Sequence, residues 1–239
     1  MKCRLEWCGY DAAKYAVSMW HYSRTMPKGN PLNKIGVWES DRFIGAIIYG
    51  RGASGALFKP FGLKITEGAE LVRIALRDHA WPVSRLIAIS LAMLHKRNPG
   101  LRLIISFADP MQEHLGIVYQ ASNWVYTGVT APSSMFIDKN GKRWHPRNVS
   151  SSGVQSNYGR LSRCPLPSEC EKVVTLPKHR YVWVLSKNDR ELRDMVEVRR
   201  MPYPKRAGSI VVDAPVLPDG RGRINTDPGA LIGQPEYAP

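Results

Sequence analysis

The sequence predicts an α/β fold with a mixed central sheet flanked by helices, followed by a basic C-terminal extension. Two observations predict this fold. Between residues 34 and 130 the apolar pattern gives a hairpin, a strand, a helix, a strand, a helix and a strand in that order, which is the alternation of an α/β domain. The chain has 239 residues and is 44% hydrophobic, which is enough to bury one sizeable core with additions.

Each predicted element follows from its own residue spacing. The first helix has apolar residues at positions 12, 15, 16 and 19 and Asp11 as its cap. The hairpin turns at Ser40 and Asp41, and the second helix carries Pro82 in its first turn. The predicted elements are a helix at 11–22, a hairpin at 34–50, strands at 70–76, 101–107 and 124–130, and helices at 84–97 and 111–121.

The positive charge of the chain lies mainly after residue 138. The formal net charge is +14, and residues 139–206 hold sixteen Lys and Arg against six Asp and Glu. Tyr and Trp residues are interleaved with these cations, and in the predicted loop at 139–163 this favours contact with the phosphates and bases of nucleic acid. For the predicted strand at 181–185 we instead expect a solvated surface with the aromatic residues in a small core. An anionic membrane surface is the second choice of partner. The cations predicted to contact DNA, from a segment expected to form a loop, are Lys139, Lys142, Arg143, Arg147, Arg160 and Arg163.

We therefore predict three parts. They are a core at 1–137, an extension at 138–206 that completes the sheet with a strand near residues 181–185, and an extended tail at 207–239 that is rich in Pro and Gly. The sequence has no apolar run of about eighteen residues, and its N-terminus lacks the apolar stretch of a secretory signal. The predicted location is the cytoplasm, without membrane contact.

The cysteines and histidines predict no metal site. The cysteines at positions 3, 8, 164 and 170 form two loop-like pairs whose spacing differs from that of a zinc knuckle, so ordinary reduced thiols are predicted. The imidazoles of His21, His79 and His114 match no known ligand spacing. Metal chemistry and a homodimer are both left open.

Four polar residues are predicted to meet at one edge of the sheet, where α/β folds bind their ligands. Asp109 ends an apolar strand and Tyr119 follows one short helix later, an acid and a phenol suited to proton transfer. His21 ends the first helix, and Arg73 lies inside the strand ELVRIAL. Structural roles compete with catalysis: His21 and Asp109 could cap helices, and Arg73 could form a salt bridge with Glu70 or Asp109.

The segment RDHAWPVSR, at 77–85, stands between a strand and a helix, where a backbone loop can hold a phosphate. Ser84 and Arg85 are its candidate ligands for a nucleotide-like cofactor. It contains no glycine, whereas phosphate-cradling loops normally need one for close backbone approach. A nucleotide-like cofactor at this position is therefore in doubt.

Several strings of the chain occur together and in order in one known family. They are WHYSR at 20–24, GVWE and FIGAIIYGRGA between 36 and 53, ELVRIAL at 70–76, PVSRLIAISLAML at 82–94, SFADP at 106–110 and GIVYQASNWVYTG at 116–128. On these strings the chain resembles the Mom-type DNA modification proteins of Mu-like phages over about residues 5–200. The resemblance implies a fold similar to that of GNAT-type acyltransferases, acting in the host cytoplasm.

The resemblance also implies an activity and a site. The activity would be attachment of a carbamoylmethyl (acetamido) group to the 6-amino group of adenine in double-stranded DNA, which protects the DNA from host restriction. The functional residues implied are His21, Arg73, Asp109 and Tyr119, with Tyr22, Ser122 and Asn123 as neighbours. Because the adenine must leave the duplex to react, we expect Tyr22 and Trp124 to form walls for the base and Asn123 to read its edge.

The group donor is left open between two chemical classes. The fold invites acetyl-coenzyme A, although the glycine-free segment at 77–85 does not support it. An activated glycine is the other class, because a glycyl group on the amine is an isomer of the carbamoylmethyl product. Two further functions compete with DNA modification: an ordinary GNAT-type acetyltransferase acting on an amine or protein, and a DNA-binding protein without catalysis.

Overall fold

The computed structural model of the protein describes residues 2–27, 32–52, 54–157 and 159–205. Four α-helices lie in this part of the chain: α1 (Tyr10–Trp20), α2 (Val83–Arg97), α3 (Ile117–Gln120) and α4 (Arg190–Glu197). The strands are β1 (Cys3–Trp7), β2 (Asn33–Glu39), β3 (Arg42–Gly50), β4 (Gly68–Leu76), β5 (Leu103–Ala108), β6 (Val125–Val129), β7 (Ser133–Asp138), β8 (Arg143–Trp144), β9 (Val154–Asn157), β10 (Arg160–Arg163), β11 (Cys170–Thr175) and β12 (His179–Val184). The predicted tail at 207–239 lies outside the described residues.

Seven strands form one mixed sheet, which confirms the predicted α/β architecture. Their order is β1-β2-β3-β4-β5-β12-β6. Strands β4 and β5 are parallel, and the other neighbouring pairs are antiparallel. The strand predicted near residues 181–185 is β12, which lies between β5 and β6 inside the sheet.

Helices cover both faces of this sheet, as the alternation of side chains along the strands requires. On one face, Leu86 and Leu94 of α2 pack in a core with Ile47 and Ile104. On the other face, α1 packs against Ala46, Ile48 and Ala75, and α4 packs in a separate cluster with Ile105 and Val182. The sheet is therefore the middle of three layers.

Strands β4 and β5 separate partway along their length. They pair only from Gly68 with Leu103 to Leu71 with Ser106, although β4 continues to Leu76 and β5 to Ala108. Val72 has no partner in the register with β3, where the pairing shifts between Ile48 and Tyr49. This bulge re-aims the residues that follow it, Arg73 first. The opening between the two strands positions the candidate site.

The helix predicted at 111–121 is wrong over most of its length. The chain forms a 3-10 turn at Pro110–Gln112, an irregular loop, and the single turn of α3. Glu113 and Gly116 have positive φ values of 56° and 75°, which a continuous right-handed helix does not tolerate. The other predicted helices and strands of the core are confirmed to within about two residues.

Residues 131–177 form an insertion between β6 and β12. Its two ends meet, because the Thr130 amide donates to the carbonyl oxygen of Lys178 at 2.9 Å and the Lys178 amide donates to Thr130 Oγ1 at 3.0 Å. Inside it, β7, β8 and β11 form one small sheet and β9 and β10 form another. The predicted loop at 139–163 is therefore wrong in part, since it contains three short strands. The extension predicted at 138–206 thus contains most of this insertion and then strand β12, which belongs to the main sheet.

Three further features complete the fold. All four cysteines are free thiols. Nothing in the described part of the chain is a helix long and apolar enough to cross a membrane. After α4 the chain runs along the outer edge of β6, where the Met201 amide donates to the carbonyl oxygen of Tyr126 at 2.9 Å.

Candidate functional site

His21 closes helix α1 and is buried, with 8% of its surface exposed. Its amide still donates to the carbonyl oxygen of Val17, but its backbone is extended, so the chain leaves the helix at this residue. The ring is fixed by Ser23, whose amide donates to Nδ1 at 3.1 Å and whose Oγ lies 2.8 Å from the same nitrogen. The sequence signal for His21 was its place at a helix end, and the structure gives it both a capping position and a held side chain.

Tyr22 stands between two imidazoles. Its ring lies 4.3 Å from the His21 ring at an interplanar angle of 32°, and 5.4 Å from the His114 ring in an edge-on arrangement. Tyr22 is 49% exposed and His114 is also exposed. The three rings therefore form a partly open aromatic surface, which we call the imidazole cluster.

The loop that carries His114 is fixed by hydrogen bonds from side chains of β12 and α3. Tyr181 Oη and Gln120 Nε2 both donate to the carbonyl oxygen of Leu115. A Cβ at Gly116 would lie 2.3 Å from the Tyr181 ring, so only glycine lets the loop pass this close. The spacing of the sequence gave no reason to select His114, because the residues that fix it lie in β12 and α3.

Arg73 acts electrostatically on His21 of the imidazole cluster, and its guanidinium is only partly hydrogen-bonded. Its Nη1 donates to the carbonyl oxygen of Val72 at 2.7 Å, and its buried Nε has no partner among the described residues. Burial first, and then the charges of Arg73 and His114, lower the pKa of His21 from 6.5 to about 4. His21 is therefore neutral at physiological pH.

Tyr119 lies beneath the opening between β4 and β5, with 8% of its surface exposed. Ser106 Oγ lies 2.7 Å from Tyr119 Oη and 2.8 Å from the carbonyl oxygen of Leu71. A carbonyl oxygen only accepts, so the Ser106 hydroxyl donates to Leu71 and Tyr119 donates to Ser106. Burial raises the pKa of Tyr119 to about 12. Ser106, a single hydroxyl within an apolar strand, was not selected from the sequence.

Asp109 caps the 3-10 turn that follows β5, accepting from the Met111 amide at 3.0 Å. Its Oδ2 also pairs with Lys178 Nζ at 3.0 Å, and its side chain is 16% exposed. Asp109, one of the two acids predicted as alternative partners of Arg73, is thus paired with Lys178. Its backbone carbonyl accepts from the His114 amide at 3.2 Å, so Asp109 and the imidazole cluster are joined through this loop.

The residues predicted to surround the base have different environments. Trp124 is completely buried and packs against Tyr119 at 5.1 Å, so it is part of the core and cannot form a wall for a base in this conformation. Ser122 Oγ donates to the carbonyl oxygen of Val118 at 2.6 Å within the turn after α3. Asn123 is exposed with a φ of 58°, a conformation that asparagine tolerates well.

The segment at 77–85 does not fit the pyrophosphate of coenzyme A. The amide of Ala80 is already used, donating at 3.0 Å to the carboxylate of Glu39, which is 7% exposed. Pro82 caps α2 and has no N–H to offer. Arg85 is exposed but lies over the Trp81 ring at 4.9 Å. A buried carboxylate at the loop opposes a second anion there, which agrees with the absence of glycine. Ser84 and Arg85 therefore lack the surroundings of a pyrophosphate site.

The cations predicted to contact DNA all lie in the insertion. Asp138 holds the turn between β7 and β8 by accepting from the amides of Asn140 and Lys142 and from Trp144 Nε1 at 2.8 Å. Lys142 Nζ lies 4.0 Å from the centre of the Trp144 ring. Exposed side chains without an ion pair to any described carboxylate are Lys139, Lys142, Arg143, Arg160 and Arg163. The side chain of Arg147 lies outside the described part.

No three His, Cys, Asp or Glu side chains of the described residues come together as a metal site requires.

Solved structures with a similar course of the chain are acetyltransferases. They include a probable acetyltransferase from Staphylococcus epidermidis (8% identity, 77% of this chain and 100% of that chain, TM-score 0.43) and an aminoglycoside 6'-N-acetyltransferase from Enterococcus faecium (10%, 77% and 98%, TM-score 0.41). A chimera of spermidine N-acetyltransferase from Vibrio cholerae gives a TM-score of 0.44 at 12% identity, with 78% of this chain and 98% of that chain covered.

Similarity at the level of sequence is more specific. A protein named methylcarbamoylase mom, from Escherichia phage Mu, is 25% identical over 209 residues, which cover 84% of this chain and 83% of that protein. The model of the Mom protein family matches residues 2–205, a range that contains the imidazole cluster, Arg73, Asp109 and Tyr119. The chain belongs to the Mom protein family.

Proposed function

We propose that this protein is a phage DNA-modifying transferase. It attaches a carbamoylmethyl group to the 6-amino group of adenine in double-stranded DNA, in the host cytoplasm, and so protects the DNA from restriction. Membership of the Mom family and the similarity to the methylcarbamoylase of phage Mu support this assignment. The structural observation that carries it is the meeting of His21, Tyr22, His114 and Arg73 beside the opening between β4 and β5.

The imidazole cluster suits a base that has left the duplex. Adenine inside DNA is stacked and paired, so the enzyme must extrude it at a cost of a few kcal/mol and hold it against aromatic groups. Tyr22 offers its exposed half for stacking, and its contacts with His21 and His114 keep the ring in one orientation. Ser122 and Asn123 remain proposed neighbours of the base.

The proposed chemistry divides among the four polar residues. Asp109 or His21 takes the proton from the adenine amine as it attacks, and Tyr119 protonates the leaving group. The high pKa of Tyr119 keeps it protonated, although its hydrogen bond to Ser106 must open first. Arg73 holds an anionic part of the donor, because its Nε is left without a partner among the described residues.

The test is the mass of adenine nucleosides in a bacterium that expresses the full chain. An adenine with the carbamoylmethyl mass increment is expected for the wild type and for Asp194→Ala, which removes an exposed acid from α4. Asp109→Ala is expected to abolish the increment. Unmodified adenine in cells that contain the soluble wild-type protein would contradict the assignment, and a DNA-independent acetylated product would point to an ordinary acetyltransferase.

The same cells identify the class of donor. Because the coenzyme A pyrophosphate does not fit the segment at 77–85, label from acetate is not expected in the modified adenine. An activated glycine transferred through its carbonyl and then rearranged has the atoms of the product, so label from glycine is expected in the added group, above the label that unmodified adenine carries in its ring. An added group that carries acetate label without glycine label would contradict this expectation.

The insertion at 131–177 is proposed to bind DNA, and its geometry allows a clean test. Thr130 and Lys178 are hydrogen-bonded neighbours, so a two-residue Asn-Gly turn can replace the insertion and join β6 directly to β12. The excised protein should fold and lose most of its DNA affinity. A triple change of Lys139, Lys142 and Arg143 to Ala should reduce affinity and make it less dependent on salt. Unchanged DNA affinity in the excised protein would contradict the role of the insertion.

A further inference from the structure

The tautomer of His21 can be read from its hydrogen bonds. Within the described residues both hydrogen bonds of the ring fall on Nδ1, one from the Ser23 amide at 3.1 Å and one involving Ser23 Oγ at 2.8 Å. A backbone amide can only donate, so Nδ1 must accept and carries no proton. In a neutral imidazole with an unprotonated Nδ1, the proton is on Nε2.

Both the hydrogen bonding and the surroundings of His21 oppose protonation of Nδ1. A proton on Nδ1 would face the Ser23 N–H, and His21 as a whole is only 8% exposed. The side chains that act electrostatically on the ring are Arg73 and His114, both of which disfavour an additional positive charge on it. These effects lower the pKa of His21 to about 4. His21 thus has a donor at Nε2 and no free lone pair at neutral pH.

From this geometry, and resting on the proposed function, we infer that His21 donates a hydrogen bond from Nε2 to the carbonyl oxygen of the transferred group. It does not accept the proton of the adenine amine. The acetyl, glycyl and carbamoylmethyl groups, which are the candidates for the transferred group, all contain a carbonyl. When the reaction draws electrons onto that oxygen, a fixed donor stabilises the developing charge, and a neutral imidazole can serve this purpose.

The amine proton then goes to Asp109, the one carboxylate among the four proposed catalytic residues. In the free protein this carboxylate pairs with Lys178 and the Met111 amide. It retains lone pairs for a proton, because an ionised carboxylate offers about four acceptor positions. The two roles are therefore assigned to different residues, with donation at His21 and proton acceptance at Asp109.

Two substitutions separate the two nitrogens of His21. The amide nitrogen of Gln can occupy the place of Nε2 and donate there, whereas the amide of the shorter Asn reaches the place of Nδ1. Neither can act as a base. His21→Ala should reduce DNA modification by about 100- to 1000-fold, the usual loss for one donor of this kind. His21→Asn should fall as far, and His21→Gln should keep at least about tenfold more activity than His21→Ala.

Nitrogen-15 NMR of the full chain gives an independent readout that does not need activity. Between pH 5 and 8 the His21 ring should carry its proton on Nε2 alone, and Ser23→Ala should keep that tautomer because the backbone N–H remains. A proton on Nδ1, or an imidazolium in that range, would overturn the assignment. So would equal activities of the Gln and Ala variants when both are folded. If the wild type modifies no DNA, the proposed function fails while the tautomer is still measured.

Discussion

The buried hydrogen bonds of Ser106 lead to the sharpest stability prediction. Ser106→Ala leaves the buried hydroxyl of Tyr119 without its hydrogen-bond partner and removes one hydrogen bond to the carbonyl oxygen of Leu71. One unsatisfied buried hydroxyl costs about 1–3 kcal/mol and one lost hydrogen bond costs about 0.5–1.5 kcal/mol, so the expected loss is roughly 1.5–4.5 kcal/mol. Tyr119→Phe removes one donor, while Ser106 keeps its bond to Leu71, and should cost only about 0.5–1.5 kcal/mol.

The double variant is the decisive comparison. With both Ser106→Ala and Tyr119→Phe, no hydroxyl is left unsatisfied and only the hydrogen bond to the carbonyl oxygen of Leu71 is missing, at a cost of about 0.5–1.5 kcal/mol. Adding Tyr119→Phe to Ser106→Ala should therefore restore part of the stability. The measurement is the midpoint of denaturant unfolding at neutral pH, with an unchanged slope to confirm that the unfolded state is comparable. A double variant less stable than Ser106→Ala would refute the assigned direction of these hydrogen bonds.

Three further predictions concern the loop, an ion pair and acid pH. Gly116→Ala should lower the melting temperature more than Gly141→Ala. Both glycines have a φ of 75°, but a Cβ at 116 would lie 2.3 Å from the buried Tyr181 ring, whereas a Cβ at 141 meets nothing within 4 Å. Equal decreases in melting temperature would contradict this steric argument. Asp189→Asn should cost about 1 kcal/mol of stability at neutral pH, since Asp189 receives two hydrogen bonds from Arg102 at 2.8 and 3.1 Å. Because this pairing lowers the pKa of Asp189, the wild type should lose the same stability as the pH falls through the carboxyl range. A stability difference between the two proteins that persists at low pH would be inconsistent with this pairing. The pKa of His21 is lowered from 6.5 to about 4, so folding favours the neutral imidazole, and this contribution to stability is lost as the pH falls from 6.5 towards 4. His21→Gln should therefore lose less stability than the wild type over that pH range. Identical dependence of stability on pH in the two proteins would disprove this prediction.

The sheet was predictable because its apolar patterns are local. The alternation in the strands and the spacing in α1 and α2 are complete within short segments, so periodicity alone found them. The loop of His114 was not predictable, because its left-handed residues are fixed by Tyr181, which is far away in the sequence. The direction of Trp124 was also missed, since the position of β12 decides which side of the turn is buried.

The candidate site divides in the same way. His21 and Arg73 could be selected because an imidazole at a helix end and an arginine in an apolar strand are each unusual within a few residues. Their roles required the fold: the Ser23 amide determines which nitrogen of His21 donates, and Lys178, not Arg73, pairs with Asp109. Sequence patterns thus identify groups capable of chemistry, whereas hydrogen-bond direction depends on neighbours that only the fold brings together.

Lys178 joins the proposed DNA-binding and catalytic parts, which restricts how they can be separated experimentally. Its backbone pairs with Thr130 where the insertion returns to the sheet, and its side chain pairs with Asp109 at 3.0 Å. A deletion that includes Lys178 would remove the DNA contacts and also the partner of the acid, so a loss of activity would have two explanations. Excision of residues 131–177 keeps Lys178 and β12. It therefore removes the proposed DNA contacts while the acid, the imidazole cluster and the sheet that supports them all remain.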